Sequence, residues 1–272
     1  MRQTLTVIRL EAGDASVEVS PTNGGRVAAL TVGGRELLVR GDAATDPLAW
    51  GCYPMVPFAG RVRNGEFAFA GQHHRLTTNL APHAIHGTGF TSPWEVLDAE
   101  FDHVELQCEL TWALGGAAHQ HILLTDAALV CVLTVMAGGE AMPTTIGWHP
   151  WFVKPTSDRL HFAAMYRRDG QGVCTGERTE PGPRPWDDCF LGPQGRLELR
   201  YAPSGQVAGL RVRIASDCDH WVVYDEPAHA ICVEPQSGPP DAFNLGLATT
   251  LAPGEFMQRT MTISWETPAT GR

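Results

Sequence analysis

Four short stretches of the chain carry polar groups that a plain fold does not need. Glu234 closes the apolar run of "AICVEPQSGPPDAFN" (230–244), just ahead of Pro235 and a turn-rich tail. If Ile231 and Val233 pack inward, strict alternation turns Cys232 and Glu234 to the opposite face, where the chain is about to leave the sheet and a charge can face a cleft. His149 lies in "TTIGWHPWFVKP" beside Trp148, Trp151 and Phe152, with Pro150 ending the ladder. A carboxylate and an imidazole are the two partners of general acid–base chemistry, one accepting a proton and the other titrating near neutral pH. His83 and His86 of "PHAIHGTGF" precede two glycines that would let backbone come close to a ligand. Their H-x-x-H spacing invites a metal, but no HExxH helix or cysteine cluster accompanies it, so no metal is expected. Arg61 of "MVPFAGRVRNGEF" follows an apolar, small-residue approach. Each group also has a plainer reading: a solvated strand-end glutamate, a satisfied core histidine, a surface arginine.

The elements that must position these groups are nearly all strands. Period-2 or continuous β-rich runs recur as "TLTVIRL", "RVAALTV", "HVELQCELTW", "HQHILLT", "ALVCVLTVM", "TTIGWHPWF", "RLELRY", "GLRVRI", "HWVVYD", "AICVE" and "FMQRTMTISW", and no comparable stretch holds a helical period. The 29 glycines and 20 prolines fall mostly between them as turn punctuation. The pattern predicts an all-β protein, a large antiparallel β-sandwich forming one domain over residues 1–272. The stretch from about Met165 to Gly195, rich in Arg, Asp, Gly and Pro, reads as a functional loop region.

Composition narrows the partners. With 272 residues, 43% hydrophobic and 18% charged, the chain has material for a large core, and a formal charge of −10 argues against a nucleic-acid partner. The N-terminus has no uninterrupted apolar segment and nothing later approaches the ~18 apolar residues of a membrane span, so no membrane partner and a cytoplasmic location are expected. Seven cysteines, an odd number without a CxxC pair, read as reduced core residues.

In their order along the chain, these motifs resemble the aldose 1-epimerase family, the galactose mutarotases. The resemblance rests on R-[IV]-x-x-G-x-F from residue 61, an H-G-x-x-G-F-like element at 86–90, H-P-[YW]-F at 149–152, and E-x-Q followed by P-D-A-x-N at 234–244. It implies a β-supersandwich fold, a sugar ligand and no cofactor. It also implies roles: Glu234 as catalytic base, His149 as acid, His86 as the second active-site histidine, and Arg61 and Gln236 as substrate-binding residues. The family's D-x-x-F aspartate falls on Asp187, with Asp188 a close alternative. The family's common "NRI" stands here as "AGRV", and "PQSGPP" follows Glu234, differences that bear on the sugar preferred.

Other classes remain open on sequence grounds. Glu234 with Asp187 has the look of a glycoside hydrolase pair, which leaves His149 without a task. A carbohydrate-binding module keeps the aromatics and Arg61 but needs no acid and base. A mutarotase for phosphorylated hexoses calls for cations at the rim, for which Arg63, His74 and Arg75 are candidates. A monomer and a homodimer are both compatible with the sequence.

Overall fold

Strands dominate the computed structural model, which describes residues 7–42 and 44–266. The larger of two antiparallel sheets has eleven strands, the smaller eight, and three two-stranded ribbons complete the architecture. Among the described residues no helix is long and apolar enough to cross a membrane.

Alternation explains how the layers pack. In the smaller sheet His103–Glu109, Ala117–Leu124 and Ala128–Met136 bury every second residue, so Val104, Leu106, Ile122, Leu124, Leu129, Cys131 and Leu133 point into the core while their neighbours face outward. The larger sheet answers with Trp148, Phe152, Phe190, Trp221, Val223, Ile231 and Val233 on its inner face. Its central strands are buried on both faces; Ala230–Gln236 is buried at all seven positions. Loops cover the outer face there, and in that cover lies the cavity described below. All seven cysteines are buried and none is in a disulfide.

The predicted strand runs are strands in the structure, although residues 4–6 of "TLTVIRL" lie outside the described residues and that strand spans Ile8–Ala12. Two expectations are corrected. The Met165–Gly195 stretch is no loop: it contributes to Phe162–Arg168 and contains Cys174–Thr179 and Asp187–Pro193, three strands at one end of the larger sheet. Near a sheet edge one face stays wet, so arginines and small residues replace the apolar alternation. Glu234 is not at a strand end either. Strand Ala230–Gln236 runs on through Pro235, which stands opposite Trp221, to Gln236.

Candidate active site

Register in the larger sheet sets the floor of the site. Tyr53, on Cys52–Met55, pairs with His149 on Gly147–Val153. On the other side of that strand the pairs Gly147↔Gln236 and Trp151↔Cys232 are in register, and counting inward from both puts His149 opposite Glu234. The ladder has no recorded pairs across this stretch, which carries Pro150 and Pro235, residues that bring no N–H to it. Glu234 pairs onward with Val222, and Asp187 of the next strand pairs with Tyr224. Tyr53, His149, Trp151, Glu234, Gln236, Val222, Tyr224 and Asp187 thus share one sheet face and line one cavity of about 460 Å³, within the usual range for small-molecule sites.

At the centre, His149 Nε2 lies 3.2 Å from Glu234 Oε1, with Glu234 only 1% exposed. Gln236 Nε2 donates to Glu234 Oε2 at 3.2 Å, and among the described residues the buried Gln236 Oε1 has no partner. Burial pushes the Glu234 carboxyl well above its ordinary value of 4.5, and nearby Asp187 adds to this, while Gln236 and Arg61 oppose it. Burial pulls the His149 imidazole down to about 3; a hydrogen bond to its own backbone opposes this, and Arg26 and Arg61 act with burial. Both trends favour neutral groups, so the pair holds one proton across the 3.2 Å contact.

The wall comes from a two-stranded ribbon. Arg61–Val62 pairs with Ala84–Ile85, setting Arg61 opposite Ile85 and His86 next along the chain. His86 sits in the left-handed region at φ 62°, where its N–H donates to the Gly60 carbonyl and its Nδ1 accepts the Gly60 N–H at 3.2 Å. Its ring meets that of His149 edge-on at 5.0 Å. Burial holds the His86 imidazole well below its ordinary value, as do the charges of His149 and Arg61. A neutral ring that accepts at Nδ1 carries its hydrogen on Nε2, which makes His86 a hydrogen-bond donor.

That tautomer bears on metal binding. Among the described residues, His86, His149 and Glu234 offer ligand atoms within 4.8 Å of one another. A metal needs a bare nitrogen, whereas His86 Nε2 bears a proton and His149 Nε2 faces Glu234, so the set reads as a hydrogen-bonding array. His83 stands outside the cavity wall and its Nδ1 accepts the Asn64 N–H at 3.1 Å, so it does not join His86 at the site. The glycines after His86 also serve packing rather than ligand approach. A Cβ on Gly87 would lie 2.1 Å from the Val56 carbonyl oxygen, and one on Gly89 2.4 Å from Val56 Cγ1.

Of the two aspartates, Asp187 faces the cavity, and its Oδ2 accepts from Arg168 Nη1 at 2.8 Å and Arg61 Nη2 at 3.3 Å. Asp188, the next residue, is not in the wall and pairs with Arg168 Nε at 2.8 Å. Arg168 therefore grips both carboxylates, a role sequence reading missed because Arg168 lay in the supposed loop. Arg26 was missed as well. Fully buried, it donates to the carbonyls of Asn23, Pro47, Trp50 and Phe90 and lies over the Trp50 ring at 4.2 Å, tying down the segment that brings Leu48 and Ala49 to the cavity.

Comparison with known proteins adds an independent line. The family model described as aldose 1-epimerase matches residues 6–264. An uncharacterized protein of Escherichia coli K12, YphB, is 25% identical over 293 aligned positions, covering 96% of this chain and 99% of that one. A crystal structure from Escherichia coli K12, provisionally assigned as an aldose 1-epimerase, superposes with a TM-score of 0.85 at 23% identity, covering 97% of this chain and 100% of the other. A galactose 1-epimerase from Lactobacillus acidophilus NCFM superposes with a TM-score of 0.77 at 15% identity, with 98% of each chain covered. At such identities the superpositions speak for the fold.

Proposed function

The chain belongs to the aldose 1-epimerase family, and from that premise we propose that it interconverts the α and β anomers of a free aldose by general acid–base ring opening and reclosure. Glu234 is the base and His149 the acid. The observation that carries this reading is their 3.2 Å contact on the floor of a cavity sized for one sugar.

The chemistry needs one proton taken from the C1 hydroxyl and one given to the ring oxygen, two oxygens on the same carbon. As the Glu234 carboxylate accepts the hydroxyl proton, the His149 imidazolium donates to the ring oxygen; the C1–ring-oxygen bond breaks and the C1 carbonyl forms. Rotation about C1–C2 and the reverse transfers close the ring on the other face. The pair starts as carboxylate and imidazolium, passes through carboxylic acid and imidazole, and returns, so its single proton is conserved. Burial favours the neutral form reached at ring opening. Sugar hydroxyls that donate to Glu234, together with Arg61, favour the charged form at the start. Each positioned transfer contributes about 10² to 10⁴ in rate. Arg61, Asp187, Gln236 and the Nε2–H of His86 supply hydrogen bonds that orient the sugar.

The site favours an uncharged aldose over a phosphorylated one. Arg63 is engaged by Asp169 and Asp241, Arg75 by Glu66, and His74 stacks on Phe67 at 4.9 Å; none of the three lines the cavity. The acidic Asp46 and Glu226 stand in the wall instead. A hydrolase reading is weakened because the Asp187 Oδ2 is taken by two arginines. Saturation-transfer NMR of anomeric exchange over a panel of free and phosphorylated aldoses tests the proposal. Exchange of at least one free aldose, faster than with buffer alone, is expected; none with any sugar would refute it and leave a sugar-binding role.

A further inference from the structure

Among the described residues, no other residue gives His149 the second hydrogen bond that commonly orients a functional imidazole. Its buried Nδ1 is left to its own backbone, so among the described residues the Nε2 contact with Glu234 is its directional tie to another residue. Packing supplies the rest. The Tyr53 ring lies 4.8 Å away at an interplanar angle of 22°, and the Trp151 ring 5.5 Å away at 19°. Both placements follow from the sheet: Tyr53 is the cross-strand partner of His149, and Trp151 is two residues along the same strand on the same face. Each clamp residue has its own backing. Phe90 packs on Tyr53 at 5.3 Å, and His229 stacks on Trp151 at 6.4 Å and 11°.

We propose that Tyr53 and Trp151 are positioning residues for His149, holding its ring in the plane that meets Glu234 and presenting aromatic faces to the imidazolium formed during turnover. The inference rests on the acid role assigned to His149 above. Two near-parallel rings packed against the imidazole restrict its rotation and so keep Nε2 on the carboxylate. Their negative π faces favour a cation beside them and, with the hydrogen bond to the His149 backbone, oppose the desolvation of this site. Of the other groups around His149, His86 lies 5.0 Å away between ring centres, and the charges of Arg26 and Arg61 act against its proton.

Paired substitutions read this directly. Tyr53→Leu and Trp151→Leu remove a face, while Tyr53→Phe and Trp151→Phe keep one. Nitrogen-15 NMR of the His149 ring should show one fixed tautomer in the parent and both Phe variants, and an exchange-averaged ring in the Leu variants. Turnover of the best aldose should fall about ten-fold in the Leu variants with KM little changed, and recover most of the loss in the Phe variants. Should Tyr53→Leu fail to fold, Trp151→Leu carries the test alone. Leu variants with parental ring spectra would overturn the inference. A parent inactive on every aldose would instead overturn the mutarotase reading, and the ring spectra, which need no turnover, would still decide this one.

Discussion

His149 and Glu234 stand directly opposite each other on adjacent antiparallel strands, and their side chains meet at 3.2 Å on the outer face of the sheet. A proton donor and acceptor set by backbone register need no loop to order itself around them. The spacing follows from the register set by the flanking pairs Gly147↔Gln236 and Trp151↔Cys232.

Replacing the carboxyl tests its role without disturbing its shape. Glu234→Gln should still bind the sugar while anomeric exchange slows by about 10² to 10⁴, as expected when a general base is removed. Measuring sugar affinity and exchange rate on the same sample separates the two effects. Normal exchange with normal binding would exclude Glu234 as the base.

The pH profile follows from one proton on the pair. Below about pH 3 the His149 imidazole gains a second proton and no acceptor remains. Above the raised Glu234 value the pair's proton is lost and no donor remains. The profile of kcat/KM should therefore be a broad plateau whose alkaline limb lies well above ordinary carboxyl titration. An alkaline limb at pH 4 to 5 would contradict the burial of Glu234.

Stability carries the same signature with a definite sign. Because the fold raises the Glu234 value, its contribution is fully present below the ordinary 4.5 and is lost as pH rises through the folded value. Glu234→Gln should abolish that slope, so thermal scans of parent and variant should diverge as pH climbs, with the variant gaining relative stability. Parallel curves would show that the carboxyl is not held protonated.

Arg168 should matter to binding more than to chemistry. Arg168→Met frees Asp187 and Asp188 from their shared partner, and KM should rise about ten-fold with a smaller change in kcat, the scale of a lost charge-assisted hydrogen bond. Steady-state kinetics on the preferred aldose would show it, and an unchanged KM would mean that Arg61 alone orients Asp187.

Arg26 should matter to the fold. Arg26→Met leaves the carbonyls of Asn23, Pro47, Trp50 and Phe90 without this donor, and denaturant titration should show a loss of about 3–5 kcal/mol. A loss under about 1 kcal/mol would show that water replaces the guanidinium freely.

What the sequence makes legible here is local, and what it hides is long-range. The alternation of "AICVE" places Ile231 and Val233 in the core and turns Cys232 and Glu234 the other way, as found. The same parity puts Gln236 on the Glu234 face. Nothing in the local pattern says that Tyr53 pairs with His149 ninety-six residues later, because register between distant strands is fixed by the assembled sheet. Arg168 was hidden for a different reason: its strand lies near a wet sheet edge, where "MYRRDGQGVCTGERT" lacks the apolar rhythm that marks a buried strand. The glycines at 87 and 89 look like ligand-approach residues, yet the close neighbour they admit is Val56. Glu234 looks like a strand end because a proline follows it, but the strand continues through Pro235 into Gln236.

The floor of the cavity is the reverse side of the hydrophobic core. Glu234 and Val233 are neighbours on one strand, the first facing the pocket and the second the interior. Slipping that strand by one residue would send the carboxyl inward and the valine out, so misassembly cannot spare the site while damaging the core. For an experimenter the pocket is thus a built-in reporter of correct assembly. In a refolding mixture, the fraction of chains that bind sugar should match the fraction that have acquired the native tryptophan signal of Trp148 and Trp221, with no soluble population that scores on one count alone.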